Sequence, residues 1–148
     1  MNQTIPFGMT QRRQWMEAFS RYKAAFQSAQ DKFYEANAAM SAHPSDGMPK
    51  GSAKSDPVAR RAENYEKAYI KLVAARTALD KARAARVEAM QPLDSDQQIV
   101  LCALYFEGAS RRELAASLHR SDFWVRAQER TGLFLLELPA GWEQDILP

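Results

Sequence analysis

The chain is predicted to be all-α, a long antiparallel helical hairpin followed by a C-terminal trihelical helix-turn-helix. Three observations predict this. Apolar side chains recur at three- and four-residue steps through most of the 148 residues, the spacing of one face of a helix. Prolines, glycines and serines gather at 41–56, where regular structure is excluded. Ser-x-x-Gln at Ser95 and Ser-x-x-Glu at Ser110 are capping boxes, in which the hydroxyl takes an early backbone N–H and the third side chain reaches back. The organisation expected is a hairpin arm over 1–91 with its loop at 41–56, a helix-turn-helix over 92–138, and a tail over 139–148.

The first long helix is placed at about 10–40. Trp15, Phe19, Tyr22, Phe26, Ala29 and Phe33 follow one another at steps of four, three, four, three and four, one stripe facing a partner. Such a stripe reads as core, and Glu17, Asp31 and Glu35 interrupt the basic groove that a base-stacking platform needs. The loop at 41–56 reverses the chain, and Lys50, Gly51 and Lys54 are its candidates for touching phosphate or another protein. Pro57 then opens a second long helix at its first turn, where a missing N–H costs nothing, with Asp56 as cap. Tyr65, Leu72 and Leu79 are seven apart, as are Ala68, Ala75, Ala82 and Ala89. That seam of large residues alternating with alanine packs against the aromatic stripe or against a second chain in a homodimer. Gln91-Pro92 ends the helix.

Three shorter helices follow at 95–107, 110–118 and 121–138. Ile99, Leu101, Leu104 and Tyr105 form the inward face of the first, and Gly108 is its stop, entering the left-handed region without steric cost. Leu114 and Leu118 face inward on the second, with Ala115 admitting close approach of the third. On the third, Val125 starts a stripe through Glu129, Leu133 and Leu136. Phe123 is read as a core plug and Trp124 as a wedge toward the second long helix. The tail, with Trp142 and Ile146, either folds back or serves as a partner-binding peptide.

Charge divides unevenly. Basic and acidic side chains number 7 and 5 over 1–56, 8 and 4 over 57–91, and 5 and 9 over 92–148. The last segment is a poor start for binding phosphate, yet 110–130 holds five arginines, Arg111, Arg112, Arg120, Arg126 and Arg130, against Glu113, Asp122 and Glu129. Catalytic signals are lacking: His43 and His119 have no spaced metal-ligand companions, and there is no glycine-rich phosphate loop or nucleophile elbow. The expectation is no enzyme, no metal and no cofactor. Cys102 is expected to be a small buried hydrophobe. No leader and no membrane-length apolar run is read, which places the expected location in the cytoplasm of a bacterial host.

The run YFEGASRRELAASLHRSDFWVR at 105–126 resembles region 4 of sigma factors, the promoter-reading helix-turn-helix. More narrowly, this run together with MPKGSAKSDP at 48–57 and the long helix between them resembles phage transcription regulators of the RinA and ArpU type. The similarity covers about the last two thirds of the chain. It implies double-stranded DNA as partner, with RNA polymerase as a further one, and a role in phage or prophage transcription regulation. Carried over residue by residue, it makes Ser121 the cap of the recognition helix, Arg126 a major-groove contact with Arg130 one turn on, and Arg112 a phosphate contact. Arg111 joins this basic set, and Asp122 is placed to accept from cytosine N4. His119, Ala127 and Gly132 depart from the family pattern. Two other functions fit the same residues: a protein-interaction adaptor contacting RNA polymerase or a phage protein, and a DNA-packaging component.

Overall fold

The computed structural model describes residues 8–41 and 57–146, and it is helical with no strand among them. The elements are α1 (Met9–Glu17), α2 (Phe19–Ser41), α3 (Pro57–Ala89), α4 (Ser95–Leu101), a π-helical turn (Cys102–Phe106), α5 (Arg111–Leu118), α6 (Asp122–Leu135) and α7 (Glu143–Ile146). The loop reading and the motif at 48–56 lie outside the described residues. No described helix is long and apolar enough to cross a membrane.

The chain divides into two compact units, and not at the expected boundary near residue 91. One holds residues 22–79, the other the N-terminal segment through Arg21 together with everything from Asp80 onward. The expected first helix is likewise two, with α1 ending at Glu17 and α2 starting at Phe19. At Ala18 the ladder tightens: Arg21 N–H donates to Ala18 O and Ser20 Oγ donates to Glu17 O. Such shortened bonds and side-chain insertions locally interrupt a helix.

In the unit of 22–79, the later residues of the aromatic stripe lie against α3, and the stripe is one of the two partners that the α3 seam left open. Phe33 lies 5.3 Å from Tyr65 and 6.1 Å from Tyr69 between ring centroids. The Arg76 guanidinium lies 5.7 Å from the centre of the Phe26 ring. Positions rise along α2 as they fall along α3, so the two helices run in opposite directions here. Tyr22, Phe26, Ala29, Phe33, Tyr65, Ala68, Leu72, Ala75 and Leu79 are all half-buried, the degree of burial that a two-helix pair allows.

The other unit has the deeper core. Trp15, Met16, Val100, Leu101, Val125, Leu133 and Leu136 are essentially inaccessible, and each such apolar side chain contributes about 1.5–3 kcal/mol through removal from water. Phe19 packs on Phe106 at 4.7 Å between centroids. Phe106 reaches this position through the π turn, in which Glu107 N–H bonds back five residues to Cys102 O. The wider turn brings Phe106 onto the inward face that Val100, Leu101 and Ala103 form, while Ile99, expected inside, lies before the turn and is 49% exposed. Gly108 closes the segment at φ 75°, as expected of a left-handed stop. The capping box moves one residue from its expected place: Asp94 Oδ1 accepts from Gln97 N–H, and Asp94 N–H donates to Gln97 Oε1. Gln98, the expected box partner, instead donates to Met90 O and Leu93 O.

Within this core lies a fully buried cation. Arg86 donates to Trp15 O at 2.6 Å, to Ala82 O at 3.0 Å and to Asp145 Oδ2 at 3.1 Å. Its guanidinium also sits 4.4 Å from the centre of the Trp15 ring. A desolvated guanidinium needs such partners, since an uncompensated buried charge costs several kcal/mol. The tail therefore folds back, bringing Asp145 of α7 to this cation, with Trp142 and Ile146 half-buried. Arg12 Nε, donating to Leu136 O at 2.8 Å, fixes α1 to the end of α6.

Removing either member of the Arg86–Asp145 pair is expected to destabilise the protein in urea denaturation. Asp145→Ala should cost about 2 kcal/mol, because its carboxylate is partly solvated, and Arg86→Ala about 4 kcal/mol. Two effects below 0.5 kcal/mol would contradict the structural role assigned to this cation.

Candidate nucleic-acid interface

Helix α5 begins at the expected capping box. Ser110 Oγ accepts from Glu113 N–H at 3.1 Å, and Glu113 Oε2 accepts from Ser110 N–H at 3.4 Å. Leu114 and Ala115 face inward, joining Val100, Ala103 and Val125 in one apolar cluster. The helix closes with His119 N–H on Ala116 O and Arg120 N–H on Ala115 O, the paired bonds of a Schellman closure. His119 takes the left-handed conformation there, at φ 54° and ψ 40°, where glycine would carry no Cβ penalty. Two residues later, Ser121 Oγ accepts from Trp124 N–H at 3.0 Å and starts α6. Asp122 in its first turn complements the helix dipole.

The inward side of α6 is Val125, Glu129, Gly132 and Leu133. Gly132, inside a helix where glycine costs about 1 kcal/mol relative to alanine, has a packing reason. A Cβ on it would lie 3.2 Å from a methyl of Leu101 and 3.3 Å from one of Leu93, closer than ordinary van der Waals contact. Glu129 is a buried carboxylate with three donors: Arg111 Nε at 2.7 Å, Arg111 Nη2 at 2.9 Å and Tyr105 Oη at 2.7 Å. This bidentate, charge-assisted set joins the π turn, α5 and α6 through a single side chain. Burial, followed by the adjacent Glu129, pushes the Tyr105 phenol well above its usual range. The hydrogen bond to Glu129 likewise raises Arg111.

The predicted contact residues separate accordingly. Arg111 turns Nε and Nη2 to Glu129 while its side chain stays 43% exposed. Ser121 is a cap, as its position implied. Arg112 and Arg130 are exposed, and so are Arg126 and Asp122, which pair at 2.9 Å across one helical turn. Phe123, read as a core plug, is 80% exposed: its position on α6 points away from the stripe that starts at Val125. The solvent side of α6 runs through Phe123, Ala127, Arg130 and Phe134 at steps of four, three and four, with Phe134 57% exposed. Trp124, expected as a wedge toward the second long helix, packs on the Leu114–Val125 cluster, with the Arg120 guanidinium 4.9 Å from its ring centre.

Sequence reasoning missed three features here. Glu129 was placed on the inward stripe without being given a partner, although a carboxylate on an apolar stripe requires one. Arg111, expected in the DNA-contacting basic set, has no sequence signal that pairs it with Glu129. Arg120 over Trp124 carried no periodic signal. Cys102 is a half-buried free thiol, and burial raises it above its ordinary range, which disfavours the reactive thiolate. Among the described residues no cluster of His, Cys, Asp and Glu is arranged to hold a metal ion. No family model matches the chain, and no curated protein or solved structure matches it either.

Arg111→Ala should destabilise the fold by about 2 kcal/mol, the scale of hydrogen bonds to a charged group, whereas Arg112→Ala should change it by less than 0.5 kcal/mol. Because the folded Tyr105 holds its proton above the ordinary value of 10.0, it contributes stability below pH 10 that is lost as pH rises further. Tyr105→Phe should therefore flatten the fall in stability above pH 10, measured by denaturant melts at stepped pH. His119→Gly should raise stability by about 0.5–1 kcal/mol by relieving the left-handed side chain.

Proposed function

We propose that the protein is a DNA-binding transcription regulator of phage or prophage type, a helical hairpin followed by a sigma region 4-like helix-turn-helix. In this reading α6 enters the major groove of double-stranded DNA. The observation that carries it is the solvent side of α6, where Arg126 and Arg130 stand exposed just after a capped, tight turn from α5. Arg112 on α5 supplies a backbone phosphate contact. Asp122 holds the Arg126 guanidinium on an exposed surface, where an ion pair is worth only about 0–1 kcal/mol. A guanine edge or a phosphate exchanges with it readily. A homodimer through the hairpin arm and a location in the bacterial host cytoplasm belong to the same reading.

A second reading, an adaptor that binds RNA polymerase or a phage protein, is favoured by one specific observation. Phe123 and Phe134 project from the same solvent side of α6, with Ala127 and Arg130 between them, an i, i+4, i+7, i+11 ridge that suits an apolar groove on a protein. Exposed aromatic anchors beside arginine are also the residues that dominate protein interfaces.

The two readings separate in fluorescence anisotropy with duplexes selected from a random library. If DNA is the partner, Arg126→Ala combined with Arg130→Ala should reduce affinity at least tenfold and lower the salt slope by about one to two, while Phe134→Ala leaves it within threefold. Failure of the wild-type chain to select any duplex, with binding to a polymerase subunit lost on Phe123→Ala and Phe134→Ala, would decide for the adaptor.

A further inference from the structure

Within the 22–79 unit, α2 and α3 border an open trough of about 720 Å³. It follows α2 from Ala25 to Ala39 and α3 from Arg61 to Ala75, roughly 21 Å of each helix at 1.5 Å per residue. Its lining has two components. One is methyl groups, from alanines such as Ala29, Ala36, Ala68 and Ala75. The other is charge, with four cations, Lys32, Arg61, Lys67 and Lys71, against one carboxylate, Glu35. Lys67 also meets Glu63 at 3.1 Å, both side chains being more than 60% exposed, so this pair is screened and exchangeable.

We infer that this trough docks an acidic amphipathic helix from another protein, adding a third helix to the pair. Small side chains along the trough allow a third axis to approach to about 8–10 Å and leave room for a ridge of larger apolar residues. The cationic lining then selects a partner whose apolar stripe is flanked by glutamate or aspartate. A second copy presenting the same surface is disfavoured, because a two-fold interface sets two linings against each other, each with four cations and one carboxylate. Single-stranded nucleic acid fits less well, since no aromatic ring lines the trough for bases to stack on, and the methyl-rich part of the lining offers a duplex phosphate backbone nothing to bind. The proposal is independent of the α6 surface and uses residues of the other unit.

The test uses the full chain and two synthetic helical peptides sharing one leucine-alanine stripe, one flanked by glutamates and the other by lysines. Anisotropy at 0.15 M salt should show binding of the acidic peptide alone. Lys32→Glu combined with Lys71→Glu should weaken it at least tenfold. Ser28→Trp, placing a ring at an exposed position of the lining, should weaken it with the circular dichroism spectrum unchanged. Equal binding of both peptides, or acidic-peptide affinity insensitive to these variants, overturns the proposal. Two further outcomes overturn it in favour of another occupant. In one, the charge reversal lowers duplex affinity and leaves the peptide unaffected. In the other, it abolishes self-association seen by sedimentation.

Discussion

Arg86 is the side chain on which the larger unit depends. A guanidinium withdrawn from water is tolerable only where carbonyls, a carboxylate and a ring face replace its hydration. Those groups come from Trp15 in α1, Ala82 in α3 and Asp145 in α7. One cation therefore gathers segments from near both ends of the chain around the last turns of α3. It also accounts for why the compact unit starts again at Asp80 rather than after the long helix. Trp15, Met16, Ala18 and Phe19 on one side and Ala82 and Ala89 on the other are buried around Arg86.

Glu129 does for the α5–α6 region what Arg86 does for the core beneath it. Its two oxygens take three donors from two other segments, fixing the rotation of α6 about its own axis. That rotation decides which side chains solvent meets. With Val125, Glu129 and Leu133 held inward, Phe123, Arg130 and Phe134 are turned outward by helical periodicity alone. The same acid fixes the direction of the Arg111 side chain, which reaches it from the exposed side of α5. What remains on α6 mixes guanidinium and aromatic groups, a surface suited to a partner offering both negative charge and apolar edges.

Much of this was legible in the residues. Helix starts at Pro57 and Ser121, the capping box at Ser110 and the left-handed stop at Gly108 follow from local chemistry, which acts over three or four residues. The aromatic stripe and the alanine seam follow from periodicity. What escaped were consequences of tertiary choice. Tyr65, Leu72 and Leu79 lead, seven residues on, to Arg86, but an arginine at a seam position does not announce burial unless its carbonyl and carboxylate partners are known. The box at Asp94 rather than Ser95 turned on which of two adjacent polar residues faced the helix end. Phe123 looked like core by hydrophobicity, and only the register of α6 put it outside. The π turn at Cys102–Phe106 has no sequence signal we can identify, and it moved Phe106 inward.

The burial of Arg86 against Trp15 is open to direct observation by NMR of the arginine side-chain N–H groups. A guanidinium held over an indole face and bonded to backbone carbonyls should give a resolved Arg86 signal, displaced by the ring current and exchanging slowly with water. Trp15→Leu should remove that displacement. An Arg86 signal at the position of a solvated arginine, exchanging as fast as those of Arg112 and Arg130, would contradict the burial of this cation.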